Sequence, residues 1–245
     1  HRRGRWFKPS HTHHSEMTTK KQKKDILSKI SEINKISDAE KKIEALKLLE
    51  KDFPNDIVIK QALSATYFTK KENTKAREYL EEALKLEPNN FSINYNLGLF
   101  YRSMRNEEIA IEYFQKAIKL NKNLIEGYNA LGDIYSNNGN IEEAIKSYKK
   151  SIKLNKSKKD TKIISRLAVN LFNNGSKNKN KKNINESISY FELCHELEPM
   201  NSLFGYTLVN IYNALGMKSE ALKLLEKFQG VFAIDTKENK IDIIF

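Results

Sequence analysis

Residues 91–158 read FSINYNLGLFYRSMRNEEIAIEYFQKAIKLNKNL over 91–124 and IEGYNALGDIYSNNGNIEEAIKSYKKSIKLNKSK over 125–158. These halves align without a gap, and residues 57–90 align with both, so a unit of 34 residues occurs three times running. The recurring residues are Leu63, Leu97 and Leu131 (position 7), Ser64, Gly98 and Gly132 (position 8), Tyr67, Tyr101 and Tyr135 (position 11), Ala76, Ala110 and Ala144 (position 20), and Leu80, Phe114 and Tyr148 (position 24). An internal repeat of this period indicates a repeat architecture rather than a globular domain.

Each unit has the apolar spacing of two helices joined by a turn. Leu131 and Tyr135 lie four residues apart, as do Ala144 and Tyr148, so each pair shares one face of a helix. Residues 137–140, Asn-Asn-Gly-Asn, have turn chemistry. The small residues at positions 8 and 20 predict close approach of the two helices, and the aromatic residues beside them fill the remaining space. Because one hairpin cannot bury its apolar face alone, the units are predicted to stack into an all-α solenoid.

Less regular copies flank the three clear units. A further unit begins near Ser202, and a longer unit covers about 159–201. We expect the segment 173–183, NNGSKNKNKKN, to be a Lys/Asn-rich loop inserted into that longer unit. Residues 23–56 form a weak copy. The sequence therefore predicts a solenoid of about six helical hairpins over residues 23–235.

The positive charge is concentrated outside the repeats. Of the formal net charge of +12, residues 1–24 carry +7 and residues 173–183 carry +4, so the rest is nearly neutral. We expect residues 1–22 to be a disordered basic extension. Within it, residues 1–16 differ so much in composition from the remainder of the chain that we interpret them as an addition outside the native fold. Residues 236–245 are expected to be a tail or the start of a cap.

The repeat resembles the tetratricopeptide repeat (TPR) family. The resemblance rests on NLGLFY and EEIAIEYFQKAIKLN within 91–124, and on ALGDIY and IEEAIKSYKKSIKLN within 125–158, and it extends over about 23–235. It implies a right-handed superhelix of helix pairs whose concave face binds peptides or helices of partner proteins.

The family implies that the groove is lined by positions 2, 5, 9, 12 and 13 of each first helix. The candidate partner-binding residues are Gln61, Tyr95, Leu99, Arg102, Asn129, Asp133, Asn137, Tyr206 and Asn210. Tyrosine is a low-entropy anchor and asparagine hydrogen-bonds to extended backbone, so this lining suits peptide recognition. The alternative is that Tyr95 and Tyr206 pack on neighbouring helices and that the amides are only solvated.

One specialisation of the family is absent. Members that bind the acidic EEVD tails of chaperones carry Lys and Asn, then Asn, then Lys and Arg at positions 5 and 9 of successive units. Here those pairs are Gln61 and Ala65, Tyr95 and Leu99, and Asn129 and Asp133. We expect no binding of a chaperone tail, since Asp133 would repel a carboxylate.

The chain lacks the motifs of common catalytic and cofactor sites. There is no GxSxG, no phosphate-binding glycine loop and no HExxH. Cys194 is predicted to serve packing, and it cannot pair with His195 because adjacent side chains diverge on a helix. His11, His13 and His14 leave metal binding as an alternative without further ligands elsewhere. We therefore predict that the protein is not an enzyme and uses neither a cofactor nor a metal.

These observations favour a cytoplasmic scaffold or adaptor that binds a protein or peptide without chemistry. No run of about 18 apolar residues predicts a membrane span. Two alternatives stay open: a repeat region of a larger enzyme such as a protein glycosyltransferase, and RNA association through the basic segment 173–183. The sequence identifies neither the partner nor the oligomeric state.

Overall fold

A computed structural model describes residues 11–155, 157 and 159–228. This part of the chain is helical and contains no strand. The helices are α1 (His11–Ile33), α2 (Ala39–Asp52), α3 (Ile57–Thr69), α4 (Asn73–Leu86), α5 (Phe91–Ser103), α6 (Glu107–Leu120), α7 (Ile125–Asn137), α8 (Ile141–Leu154), α9 (Thr161–Lys177), α10 (Lys181–Leu197), α11 (Ser202–Ala214) and α12 (Lys218–Phe228). The all-α fold class is confirmed, and α3–α8 coincide with the three units of 34 residues.

The hairpins from α3 to α12 close with the same backbone turn. At each turn, a backbone N–H donates to the carbonyl oxygen of the residue five positions earlier, near the end of the first helix. Examples are Asn140 to Tyr135 at 2.8 Å and Asn180 to Gly175 at 2.8 Å. The residue before that donor has a positive φ and is Lys71, Arg105, Gly139, Lys179 or Gly216. This is the left-handed helix ending that satisfies the last carbonyl groups.

Small residues lie where the paired helices meet, as predicted. A Cβ atom added at Gly98 would lie 2.7 Å from the Phe114 ring, and one added at Gly132 would lie 2.6 Å from the Tyr148 ring. Ala144, at position 20, is completely buried. The prediction that positions 8 and 20 permit close helix packing is confirmed.

The chain divides between Lys122 and Asn123 into two compact units. The N-terminal unit contains α1–α6, with a core that includes the fully buried Leu63 and Leu97. The C-terminal unit contains α7–α12. Its buried residues include Leu167 in one cluster and Leu208 in another.

The expectation for the N-terminal extension is wrong in part. Residues 11–22 are helical, because α1 begins at His11. The segment from 11 to 33 lacks glycine and proline, so its polar residues continue the helix upstream of the buried Ile26 and Ile30. Residues 1–10 lie outside the described residues, and so does the predicted tail 236–245.

The expectation of an inserted loop over 173–183 is wrong. The hairpin α9–α10 has 17 residues in each helix, whereas α7 has 13 and α8 has 14. The insertion therefore adds about one helical turn to each helix, and only residues 178–180 lie between them. Lys and Asn are solvated on a helix as readily as in a loop, so composition alone misled the prediction.

Candidate functional site

The nine predicted partner-binding residues lie on the first helices α3, α5, α7 and α11, and each is at least partly exposed. We name the surface formed by Gln61, Tyr95, Leu99 and Arg102 the N-terminal face. The C-terminal face contains Asn129, Asp133, Asn137, Tyr206 and Asn210. The two faces belong to separate units, so each is described by itself.

On the N-terminal face, α3 and α5 lie side by side. Gln61 Nε2 donates to Ser92 Oγ at 3.5 Å, and the Phe68 ring meets the Phe100 ring edge-on with centroids 6.0 Å apart. Phe68 remains partly exposed, whereas Phe100 is buried. Phe68 is therefore held in place by a buried ring of the neighbouring first helix and stays accessible itself.

Tyr95 is held by the same packing that fills the space over Gly98. Its ring lies 5.5 Å from the Phe114 ring, which itself covers that glycine. The packing alternative therefore applies to Tyr95, but the side chain is only half-buried and keeps an accessible edge. Such a ring is ordered before a ligand arrives, which lowers the entropic cost of binding.

On the C-terminal face, Asp133 is already engaged. Its Oδ1 accepts a hydrogen bond of 2.8 Å from the Tyr148 hydroxyl and one of 2.6 Å from Arg166 Nη1. Burial first, and then the bond to the Asp133 carboxylate, raises the pKa of Tyr148 well above its usual range. Arg166 compensates the negative charge of Asp133, and this partner was not identified from the sequence.

Sequence reasoning missed the contribution of α9. Arg166, whose side chain is 37% exposed, was not predicted, and neither was Val169, which is 45% exposed. Counting the unit from Thr161 places Leu167 and Leu171 at positions 7 and 11, and then Val169 falls at the groove position 9. The signal was present in the apolar spacing, but the seven-residue insertion hid the register.

The asparagines of the C-terminal face differ in environment. Asn129 Oδ1 is shielded from solvent and accepts no hydrogen bond within the described part of the chain. Asn137 and Asn210 are exposed, and Tyr206 is half-buried. Leu203, one turn before Tyr206, is 65% exposed and adds apolar area to α11. The face thus combines amides, one ion pair and exposed aliphatic groups.

The lone cysteine is built into packing. Cys194 is fully buried, its Sγ lies 3.6 Å from the Thr161 carbonyl oxygen, and burial raises the pKa of the thiol to about 12. The thiol therefore stays protonated and is a poor nucleophile. Among residues whose side chains are described, no group of three or more His, Cys, Asp or Glu could hold a metal. The side chains of His11, His13 and His14 lie outside that set.

Family models match the central part of the chain. A tetratricopeptide repeat model matches residues 91–124 and 125–158, the same two units that the sequence defines, and a TPR repeat model matches 66–104. No curated protein matches the chain significantly. No helix in the described part is both long enough and apolar enough to cross a bilayer.

Solved structures match the fold at low sequence identity. YrrB, described as a TPR protein with an unusual peptide-binding site, is 19% identical with a TM-score of 0.62, covering 76% of this chain and 91% of YrrB. PilW, described as a type IV pilus biogenesis factor, is 20% identical with a TM-score of 0.61, covering 83% and 90%. MamA is 24% identical with a TM-score of 0.55, covering 67% and 91%.

Proposed function

Since the chain is a tetratricopeptide-repeat protein, we propose that it is a non-catalytic scaffold that binds a peptide or helix of a partner protein on its first helices. The observation that carries the proposal is the pattern of burial. Each first helix buries Leu97 or its equivalent in the core, while the residues at groove positions stay accessible. A surface of this kind is preformed and needs no chemistry at the partner.

The N-terminal face is one candidate surface, and it carries apolar anchors of its own. Phe68 and Tyr95 each pack on a buried ring and stay partly exposed, and Leu99 is partly exposed as well. Aromatic side chains bury large areas with little loss of rotamer freedom, which makes them frequent anchors of recognition. The description of YrrB as having a peptide-binding site supports a peptide as the class of ligand.

The C-terminal face is a second candidate surface, and its groups are mainly polar. The Arg166–Asp133 pair can exchange its partners with a charged side chain of a ligand, and the exposed amides of Asn137 and Asn210 can hydrogen-bond to the backbone of a ligand. Positions 5 and 9 of α3, α5 and α7 carry no lysine or arginine. We therefore still expect no affinity for an EEVD-type tail.

The absence of chemistry is part of the proposal. The only cysteine is buried and protonated, and it lies on a second helix away from the groove positions. TPR arrays act in general by presenting surfaces rather than by catalysis, which supports a scaffold. The partner of this chain is thus proposed to be positioned, not modified.

The test is a selection of peptides from a random display library on the full chain. The dissociation constant of the selected peptide is then measured for the parent and for a triple variant, Tyr95→Ala, Asn129→Ala and Tyr206→Ala. We expect the triple variant to bind at least tenfold more weakly whichever face holds the peptide, because loss of one hot-spot anchor costs about 2 kcal/mol or more.

A matched control carries Lys116→Ala, Lys150→Ala and Asn185→Ala, which are exposed positions on second helices. Circular dichroism checks that both variants keep their helix content. The control should bind like the parent. Equal binding by the parent and the triple variant would contradict the proposal, since the ligand would then lie elsewhere on the protein.

A further inference from the structure

The turn of the hairpin α9–α10 is a basic surface that the scaffold function does not use. We name residues 173–185 the basic tip. Its lysines are Lys177, Lys179, Lys181 and Lys182, and all four are exposed. None of them pairs with a carboxylate within the described part of the chain. Residues 161–185 contain no acidic residue, and the next acid, Glu186, is paired with Lys149 at 2.7 Å.

The basic tip projects beyond its neighbours in the C-terminal unit. Leu167 and Leu171 occupy the same unit positions as Leu131 and Tyr135, so the added residues fall at the turn end of the hairpin. The four extra residues of α9 extend it by about 6 Å. The lysines therefore lie at the exposed turn end of the hairpin, where a large surface can reach them.

The basic tip is an ordered structure. Asn183 Nδ2 donates to Asn174 Oδ1 at 2.7 Å across the hairpin, and the Asn180 side chain accepts from the backbone N–H of Lys182 at 3.1 Å. Gly175 is packed so closely that a Cβ atom there would lie 2.7 Å from Ile184 Cγ1. The lysine stems are thus mounted on a fixed backbone.

The placement of these lysines is unfavourable for the helix itself. Lys181 and Lys182 occupy the first turn of α10, where α8 has Glu142 and Glu143. A positive charge at a helix N-terminus opposes the helix dipole, which weakens the start of α10. A bound polyanion would reverse the sign of this interaction.

We propose that the basic tip binds the phosphate backbone of double-stranded nucleic acid without reading its sequence. Phosphate contacts in such complexes come from lysine, asparagine and serine side chains and from helix N-termini, all of which occur here. Residues 173–183 contain no aromatic residue on which an unpaired base could stack, which disfavours a single strand. Acidic peptide motifs are recognised by clusters of arginine, and residues 173–185 contain none, which disfavours an acidic peptide.

The test measures binding of the full chain to a mixed-sequence DNA duplex and to an RNA duplex of equal length, by fluorescence anisotropy at several salt concentrations. The tip variant carries Lys177→Gln, Lys179→Gln, Lys181→Gln and Lys182→Gln. Four phosphate contacts contribute about −3.6 to the slope of log K against log salt. The slope of the tip variant should therefore be less steep than that of the parent by about 3.6. The tip variant should also bind at least tenfold more weakly at about 0.1 M salt. If the tip variant loses affinity for both duplexes, the ligand is the phosphate backbone that they share. If it loses affinity for only one duplex, that nucleic acid is the ligand.

The control removes the same charge elsewhere, through Lys116→Gln, Lys119→Gln, Lys150→Gln and Lys153→Gln on α6 and α8. This control variant should make the slope of log K against log salt less steep by less than one. Equal losses in the two variants would overturn the proposal, because the basic tip would then have no special role. Poly-L-glutamate is the third probe. If it binds through the tip while neither duplex does, the partner is an acidic polypeptide and the proposal is wrong.

Discussion

The hairpins α7–α8 and α9–α10 make the same close helix contact with different residues. In α7–α8, Gly132 lies directly under the Tyr148 ring. In α9–α10 the corresponding residues are Ala168 and Phe191, and Ser187 Oγ donates to the Ala168 carbonyl oxygen at 2.8 Å. The hairpin α3–α4 uses the reverse arrangement, in which Ser64 Oγ donates to the Ala76 carbonyl oxygen at 2.7 Å. The repeat therefore specifies a distance between helices, and a glycine or a hydroxyl bridge can satisfy it.

The largest effect should come from breaking the glycine contact. In Gly132→Val, the added Cβ would lie 2.6 Å from the Tyr148 ring, and the two methyl groups would extend beyond it. Overpacking of this kind costs about 3 kcal/mol. Hydrogen exchange of the α7 and α8 amides measures the loss locally, because each hairpin contacts only its neighbours.

The matched control is Ala168→Gly in the long hairpin, where a bridge rather than a glycine sets the distance. It should cost about 1 kcal/mol, the usual penalty for glycine within a helix. Unchanged protection of α7 and α8 in Gly132→Val would show that the two helices can move apart freely, and that the comparison between the hairpins is mistaken.

A smaller effect should appear as a difference between the stabilities of α7–α8 and α9–α10 at alkaline pH. Tyr148→Phe gives α7–α8 the same aromatic residue as α9–α10 and removes the bond to Asp133, which costs about 1 kcal/mol at neutral pH. The pKa of Tyr148 is raised in the folded chain, so unfolding favours its ionisation above the ordinary value of 10.0. Stability contributed by the neutral phenol is thus complete below that ordinary pKa and is lost as the pH rises.

The long hairpin has a different titrating group. Burial raises the pKa of Cys194 to about 12 from 9.0, so the loss of stability that Cys194 causes should begin about one pH unit lower than that of α7–α8. Burial also raises the pKa of Tyr190 on α10, which adds a later loss to the same hairpin. Hydrogen exchange of both variants is measured between about pH 8 and 11. Tyr148→Phe should remove the pH dependence of α7–α8, and Cys194→Ala should remove the dependence of α9–α10 that begins at the lower pH. If Cys194→Ala kept the earlier loss of protection in α9–α10, or if Tyr148→Phe kept the loss in α7–α8, the assignment of that titrating group would be incorrect.

The sequence predicted the regular hairpins well and the irregular one poorly, for a physical reason. Positions 7, 8, 11, 20 and 24 are determined by contacts within one hairpin, so they can be read from residues such as Gly98 and Phe114 alone. The Asp133–Arg166 pair joins the first helices of successive hairpins, and its discovery requires the register of α9. Composition could not supply that register, because a Lys/Asn-rich run added a whole helical turn instead of a loop.

The smallest effect concerns the turn residue Lys179, whose counterpart in the regular hairpin is Gly139. Gly139 has φ 76° and Lys179 has φ 53°, a region that a lysine occupies at a cost of about 1 kcal/mol. Lys179→Gly should therefore stabilise α9–α10 by about 0.5 kcal/mol, whereas Gly139→Ala, with open space around the added Cβ, should destabilise α7–α8 by about 1 kcal/mol.

Lys179→Gly also separates stability from binding. If Lys179 contacts a phosphate, the same substitution should lower the salt slope for duplex binding by about 0.9 while the hairpin becomes more stable. Lys71→Gly is the control, since Lys71 has φ 64° at the equivalent turn of α3–α4 and lies outside the basic tip. It should stabilise its own hairpin and leave the slope unchanged. Equal slopes for the parent and Lys179→Gly would mean that the turn lysine contacts no phosphate, and the surface would then be limited to Lys177, Lys181 and Lys182.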